Sequence, residues 1–147
     1  MKENMLSQTT ERAITPLKRL ANSIHRILVA EDDEDIRRLN TEVLSGDGYY
    51  VDAAADGAVA WDTLQRNSYH LLITDNVMPK MSGVDLLKKL YAADMTVPVI
   101  MATGKLPHVE FNLHPWIRPI AILLKPYTPE EMLRTVEYVL RPPFGGP

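Results

Sequence analysis

Residues 70–83 have the sequence HLLITDNVMPKMSG, a short apolar run followed by an aspartate and a group of turn-forming residues. The run from His70 to Thr74 predicts a buried strand, because strands covered on both faces are apolar at successive positions. Past this stretch, apolar side chains recur at helical spacing at Val84, Leu87, Leu90 and Tyr91. A strand that ends in an acidic turn before a helix predicts one βα unit of a parallel sheet.

The same alternation of strand and helix signals continues on both sides of residues 70–83. Strands are predicted at 27–30, 49–53, 70–74, 97–102 and 120–124. Helical stripes are formed by Ile36, Leu39, Val43 and Leu44 and by Met132, Val136, Val139 and Leu140, and a shorter helix is predicted over 58–65. We therefore predict an α/β domain with a doubly wound, five-stranded parallel sheet covered by helices on both faces.

One segment inside the domain departs from this alternation. Gly104 to Pro119 is interrupted by Pro107, Pro115 and Pro119. Proline removes a backbone donor and disrupts the preceding helical turn, so any helix in this segment should be short or distorted.

The chain divides into three predicted parts: an N-terminal extension (1–25), one domain (26–141) and a C-terminal tail (142–147). The extension is polar, and Leu17, Leu20 and Ile24 favour a short amphipathic helix after Pro16. The tail holds three prolines and two glycines. We therefore expect no output domain to follow it.

Composition excludes several classes of function. The chain has 147 residues, no cysteine and a net charge of -3. It is long enough for one hydrophobic core, and it can form neither a disulfide nor a thiolate site. No broad basic surface is expected for nucleic acid, and no apolar run approaches the roughly 18 residues that span a bilayer. We expect a soluble cytoplasmic protein that binds neither nucleic acid nor membrane.

The chemistry is expected where the strands end, because the carboxyl ends of parallel strands line one crevice. Glu31 and Asp32 follow the first strand, Asp75 the third, Thr103 ends the fourth and Lys125 follows the fifth. Clustered carboxylates repel one another without a cation, and hard oxygen ligands suit Mg²⁺. A metal ion and a lysine together can neutralise the charges when a carboxylate attacks phosphorus. The pattern predicts phosphoryl transfer to an aspartate.

These segments closely resemble the bacterial response-regulator receiver domain, here of the single-domain type, over residues 26 to 141. The matching pieces, in the order typical of the family, are Ile27 to Asp33 with Arg37, Leu72 to Gly83, Met101 to Gly104 and Leu124 to Tyr127. The resemblance implies a flavodoxin-like sheet of strand order 2-1-3-4-5.

The resemblance also implies a role for each site residue. Asp75 would be the phosphoacceptor, Asp32 a direct Mg²⁺ ligand and Glu31 a ligand through water. Val77 would offer its backbone carbonyl to the ion. Thr103 would be the switching hydroxyl, and Lys125 would contact the phosphoryl group, with a cis bond before Pro126.

Simpler interpretations exist for each of these side chains. Asp33, Glu34 and Asp35 are best explained as charges that favour a helix N-terminus. Asp75 alone could be a turn residue or a helix cap. Similarly, Lys125 could be an exposed lysine at the end of a strand, and Thr103 a β-branched strand residue.

The resemblance predicts a phosphorelay switch rather than a turnover enzyme. A histidine kinase or a phosphotransfer protein would donate the phosphoryl group, the downstream protein is not identified, and a homodimer is compatible with the sequence. The alternative is a phosphorylation-independent docking module, because Ile122 replaces the aromatic residue usual in the family. A hydrolase is disfavoured because Val77 occupies the place of a second acid. Val77 and Lys105 also predict a long-lived phosphoaspartate.

Overall fold

The computed structural model describes residues 13–141, and its centre is one parallel sheet of five strands in the order β2-β1-β3-β4-β5. The strands are β1 (Arg26–Ala30), β2 (Tyr50–Ala54), β3 (Leu71–Thr74), β4 (Val99–Thr103) and β5 (Ala121–Leu124). The helices are α1 (Pro16–Asn22), α2 (Glu34–Gly46), α3 (Gly57–Arg66), α4 (Gly83–Ala92), α5 (His108–Leu113) and α6 (Pro129–Leu140). The predicted fold class and strand order are confirmed.

Two apolar layers separate the sheet from its helices. One layer packs α3, α4 and α5 against the sheet and includes Leu28, Leu72 and Met101. The other packs α2 and α6 against the opposite face and includes Ile27 and Ile73. Every residue of β3 and β4 is buried, which explains why these strands are continuous apolar runs.

Polar side chains define where the longer helices begin. The carboxylates of Asp33 and Asp56 accept hydrogen bonds from the first-turn amides of α2 and α3. Ser82 and Thr128 form reciprocal capping boxes at the starts of α4 and α6. Each cap satisfies backbone donors that a helix cannot satisfy itself, so the start of each of these four helices is fixed.

The observed boundaries of the five strands and of α3 lie within two residues of the predicted ones. β4 begins at Val99 instead of residue 97, because Pro98 cannot donate to the sheet. The helix expected to be short inside Gly104 to Pro119 is the six-residue α5, which begins without a side-chain cap. The tail 142–147 and the first twelve residues of the predicted extension lie outside the described residues. Within residues 13–141, no helix is long and apolar enough to cross a bilayer.

The predicted short helix of the extension is present as α1, but its apolar stripe does not pack on the domain. Leu17, Leu20 and Ile24 are 79%, 68% and 70% exposed, and Ile24 lies beyond the end of the helix. Polar groups hold α1 instead: Arg19 donates to the carbonyl of Gly46 at 2.5 Å, and the buried Asn22 amide donates to the carbonyl of Asp47 at 2.8 Å. The helix thus caps the carbonyl end of α2.

Replacing Asn22 with alanine should lower the free energy of unfolding by about 1 kcal/mol, because a buried hydrogen bond is lost. Urea denaturation followed by circular dichroism measures the change. Leu20→Ala is the matched control, and it should change stability by less than about 0.5 kcal/mol because its side chain is exposed. Equal losses in the two variants would contradict attachment through polar contacts.

Candidate functional site

The register of the sheet brings the two acidic strand exits together. Ala30 of β1 is paired with Thr74 of β3, so Glu31 and Asp75 follow at the same level. Their backbone amides continue the ladder, with Glu31 donating to Ala54 at 3.0 Å and Asp75 donating to Ala30 at 3.1 Å. The side chains therefore start from fixed backbone positions.

Three carboxylates converge at this edge. One oxygen each from Glu31, Asp32 and Asp75 lies within 4.8 Å of the others. Glu31 and Asp75 are only 3% and 8% exposed, whereas Asp32 faces solvent. The guanidinium of Arg37 fixes the turn that carries the first two acids by donating to the Glu31 carbonyl at 2.9 Å. The result is a rigid acidic group with one open side.

Lys125 lies between the two buried acids. Its ammonium is 2.9 Å from a Glu31 oxygen and 2.8 Å from an Asp75 oxygen, and its side chain is 20% exposed. Burial acts to lower the pKa of Lys125, but the hydrogen bonds to Asp75 and Glu31 outweigh it and raise the pKa. The interpretation of Lys125 as an exposed surface lysine is wrong.

The acids differ in their electrostatic surroundings. Burial raises the pKa of Glu31, and hydrogen bonds from Lys125 and the Asp33 amide offset part of that rise. One oxygen of Asp75 accepts from the Asn76 amide at 2.6 Å while the other meets Lys125. Asp75 is thus oriented by donors on both oxygens, which is what a positioned nucleophile requires.

Thr103 lies at the same sheet edge and is 1% exposed. Its hydroxyl donates to the Lys105 carbonyl at 3.3 Å and accepts from the Lys105 amide at 3.4 Å. The backbone carbonyl of Thr103 also accepts from the Lys125 amide at 2.9 Å, which links the fourth and fifth strand exits. The hydroxyl therefore lies at the edge that carries the site, but its hydrogen bonds are made to the backbone of Lys105.

The segment after Asp75 is held by Asn76, which the sequence did not single out. The Asn76 carbonyl accepts from the Gly83 amide at 2.9 Å, and its side chain accepts from the Val84 amide at 3.0 Å. A side-chain carbon at Gly83 would lie 2.4 Å from the Asp75 carbonyl, so that position requires glycine. Asparagine directly before a turn bonds nearby backbone amides, and this is the signal that could have identified it.

The donor set fits a hard divalent cation. The three carboxylates provide oxygen ligands, and the exposed Asp32 leaves room for water, as Mg²⁺ coordination requires. Lys125 provides part of the charge that such a cluster needs. Val77, two residues after Asp75, is 70% exposed, and the role of its carbonyl stays a prediction.

The simpler interpretation of the acids after Asp32 is confirmed. Asp33 caps α2 through the amide of Ile36 at 3.0 Å, and Glu34 and Asp35 lie in its first turn. Their charges favour the helix N-terminus. The bond before Pro126 is cis, as the resemblance implied.

Comparison with known proteins gives a consistent result. The family model of the response regulator receiver domain matches residues 27–137. The response regulator receiver protein CpdR of Brucella abortus is 34% identical over 118 residues, which cover 78% of this chain and 96% of that protein. The transcriptional regulatory protein RprY of Bacteroides fragilis is 32% identical, but this chain spans only 49% of its length.

A solved structure agrees with the sequence matches. The chemotaxis response regulator CheY4 of Vibrio cholerae has a TM-score of 0.72 and 28% identity. The match covers 79% of this chain and 98% of that structure.

Replacing Lys125 with methionine should lower the free energy of unfolding by about 3 kcal/mol in metal-free buffer, because two buried carboxylates then lack their cation. Urea denaturation in the presence of a chelator measures the loss. Lys105→Met, at an exposed lysine outside the ion pairs, should stay within about 0.5 kcal/mol of the parent protein. An unchanged stability for Lys125→Met would contradict the bridging role.

Proposed function

This chain belongs to the response-regulator receiver family, and on that premise we propose that it is a switch that takes a phosphoryl group onto Asp75. The observation that carries the proposal is the geometry of Asp75, whose two oxygens are held by Lys125 at 2.8 Å and by the Asn76 amide at 2.6 Å. A nucleophilic carboxylate must be both oriented and relieved of charge repulsion. The surroundings of Asp75 meet both conditions.

We assign the metal ligands to the same edge. Asp32 and Asp75 would bind Mg²⁺ directly, Val77 would add its backbone carbonyl, and Glu31 would bind through water. A bound Mg²⁺ supplies positive charge that offsets the phosphoryl oxygens and the acidic cluster. The clustering of three carboxylate oxygens within 4.8 Å supports this assignment.

The protein's own groups perform the transfer. An oxygen of Asp75 attacks phosphorus, a new O–P bond forms, and the N–P bond of a donor phosphohistidine breaks with release of the histidine. The Lys125 ammonium and the Thr103 hydroxyl then stabilise the phosphoryl oxygens. Thr103 must leave its contacts with the Lys105 backbone to do so, and this motion is the proposed switching step.

Receiver domains act as signalling switches, and their donors are histidine kinases or phosphotransfer proteins. We propose that this chain has such a donor in the cytoplasm and passes its signal on by binding another protein. The alternative is a docking module that works without phosphorylation. It is supported by the 41% exposure of Ile122 on the edge strand β5, where the surface is already apolar.

Phosphorylation can be tested directly by intact mass. Incubation with a small phosphodonor and Mg²⁺ should add the mass of one phosphoryl group to the protein. Asp75→Ala should abolish the adduct, because the nucleophile is lost. Asp35→Ala is the matched control, since Asp35 has an 87% exposed side chain and lies outside the carboxylate cluster, and it should retain the adduct.

The other outcomes distinguish the alternatives. A wild-type protein that gains no adduct would favour the docking module. Continuous phosphate release at high turnover would favour a hydrolase.

The phosphoaspartate should be long-lived, because the residue two positions after Asp75 is the apolar Val77, where a polar side chain could orient water. Val77→Asn should shorten its half-life severalfold, measured by loss of the mass adduct after removal of the donor. Val109→Asn makes the same change at a similarly exposed position on α5 and should leave the half-life unchanged. An unchanged half-life in Val77→Asn would exclude this explanation.

A further inference from the structure

The first residue of α3 touches the segment that follows Asp75. A side-chain carbon placed on Gly57 would lie 1.9 Å from the carbonyl oxygen of Met81 and 2.6 Å from its carbonyl carbon. These are backbone atoms, so no side-chain rotation can relieve the contact. The backbone of α3 is therefore in direct contact with residues 76–82, which we call the acceptor loop.

The acceptor loop is fixed at its two ends and by this contact. Asn76 bonds the start of α4 at one end, and the Ser82 capping box holds the other. Between them the chain turns tightly, with Met81 donating to the Pro79 carbonyl at 2.7 Å and Lys80 in the left-handed region at φ 71°. The middle of the loop therefore depends on α3 for its position.

The start of α3 is itself held in place. Asp56 accepts from the Val59 amide at 2.8 Å, which fixes the first helical turn and with it Gly57. Its other oxygen is 3.6 Å from the ammonium of Lys80 in the acceptor loop. Lys80 is mostly exposed, so the ion pair adds little, and the backbone contact at Gly57 is the stronger constraint.

We propose that Gly57 is a positioning residue for the metal site, acting through the acceptor loop. The inference rests on the proposed function, since it assumes that the Val77 carbonyl binds Mg²⁺ beside Asp75. Cβ atoms do not approach neighbours within 3.0 Å, so a side chain at Gly57 forces the two backbones apart by about an ångström or more. The acceptor loop carries Val77, and a displacement of that size is large compared with the tolerance of octahedral Mg²⁺ coordination.

A comparison of Gly57 with Gly46 shows that the requirement at Gly57 is not a general need for backbone freedom. Gly57 lies in a helix and its φ is outside the left-handed region, so its conformation is available to any residue. Gly46, at the end of α2, has nothing within 4 Å of an added carbon. The requirement at Gly57 therefore comes from the closeness of the Met81 backbone.

The test measures Mg²⁺ affinity by isothermal titration calorimetry, with Mg²⁺ as the only ligand. Gly57→Ala should bind Mg²⁺ about tenfold more weakly or worse, because a shift of about 1 Å at a positioned group has effects of this order. Gly46→Ala should bind as the wild type does. Leu64→Val lowers the stability of the same helix at its far end, away from the acceptor loop, and should also keep its affinity.

The outcomes separate this proposal from the proposed function. A folded Gly57→Ala protein with wild-type Mg²⁺ affinity overturns the positioning role. That result leaves the proposal that Asp75 is phosphorylated standing. A wild-type protein that binds Mg²⁺ but gains no phosphoryl adduct overturns the function, while the affinities still test Gly57. A wild-type protein that does not bind Mg²⁺ overturns both. Equal weakening in Leu64→Val assigns the effect to stability and also overturns the positioning role.

A second variant keeps the proposal testable if Gly57→Ala does not fold. Asp56→Ala removes the cap that fixes the first turn of α3, and it should weaken Mg²⁺ binding severalfold. Lys80→Met, which removes only the ion pair with Asp56, should have little effect. Wild-type affinity in Asp56→Ala would overturn the proposal.

Discussion

The bridge from the Lys125 ammonium to Glu31 and Asp75 is the interaction on which the site depends. Two buried carboxylates side by side are costly unless a cation lies between them. The ammonium reduces that cost with contacts of 2.9 and 2.8 Å, and it does so from the exit of β5. A single lysine thus joins the first, third and fifth strand exits across the crevice of the sheet.

The parallel sheet is what makes this bridge possible. Adjacent strands run in the same direction, so their carboxyl ends lie at one edge, and the pairing of Ala30 with Thr74 puts the acids level. The link from the Lys125 amide to the Thr103 carbonyl places the lysine at that edge too. The apolar layers buried on both faces of the sheet stabilise the fold, and this stabilisation offsets the electrostatic cost of the site.

The sequence could predict the features that follow from periodicity and strand exits. Five apolar runs alternating with helical stripes were enough to predict the parallel sheet, and the acids at its strand exits were enough to predict the meeting of Glu31, Asp32 and Asp75. Contacts between distant backbone segments carry no such signal. Asp56-Gly57 resembles any turn before a helix, and only the folded chain brings Gly57 against the carbonyl of Met81.

The packing of α1 shows that an apolar stripe in the sequence does not always predict burial. The spacing of Leu17 and Leu20 is typical of a buried stripe, yet both side chains face solvent. The helix is held by Arg19 and Asn22, whose partners are the backbone carbonyls that end α2. Such partners depend on where another helix ends and not on any residue type, so hydrophobic periodicity cannot predict them.

In the proposed switch, transmission of a signal from Asp75 would be constrained by the surroundings of Thr103. The hydroxyl is occupied by the Lys105 backbone at 3.3 and 3.4 Å, and both distances are long for an O–H or N–H hydrogen bond. These weak bonds cost little to break, so in the proposed switch the hydroxyl would exchange them for a bond to a charged phosphoryl oxygen. The segment that must adjust contains the short, uncapped α5, and Ile122 offers no polar group to couple to it. In the proposed switch, the conformational change would therefore involve the backbone of Lys105, before α5, and would not depend on an aromatic side chain at position 122.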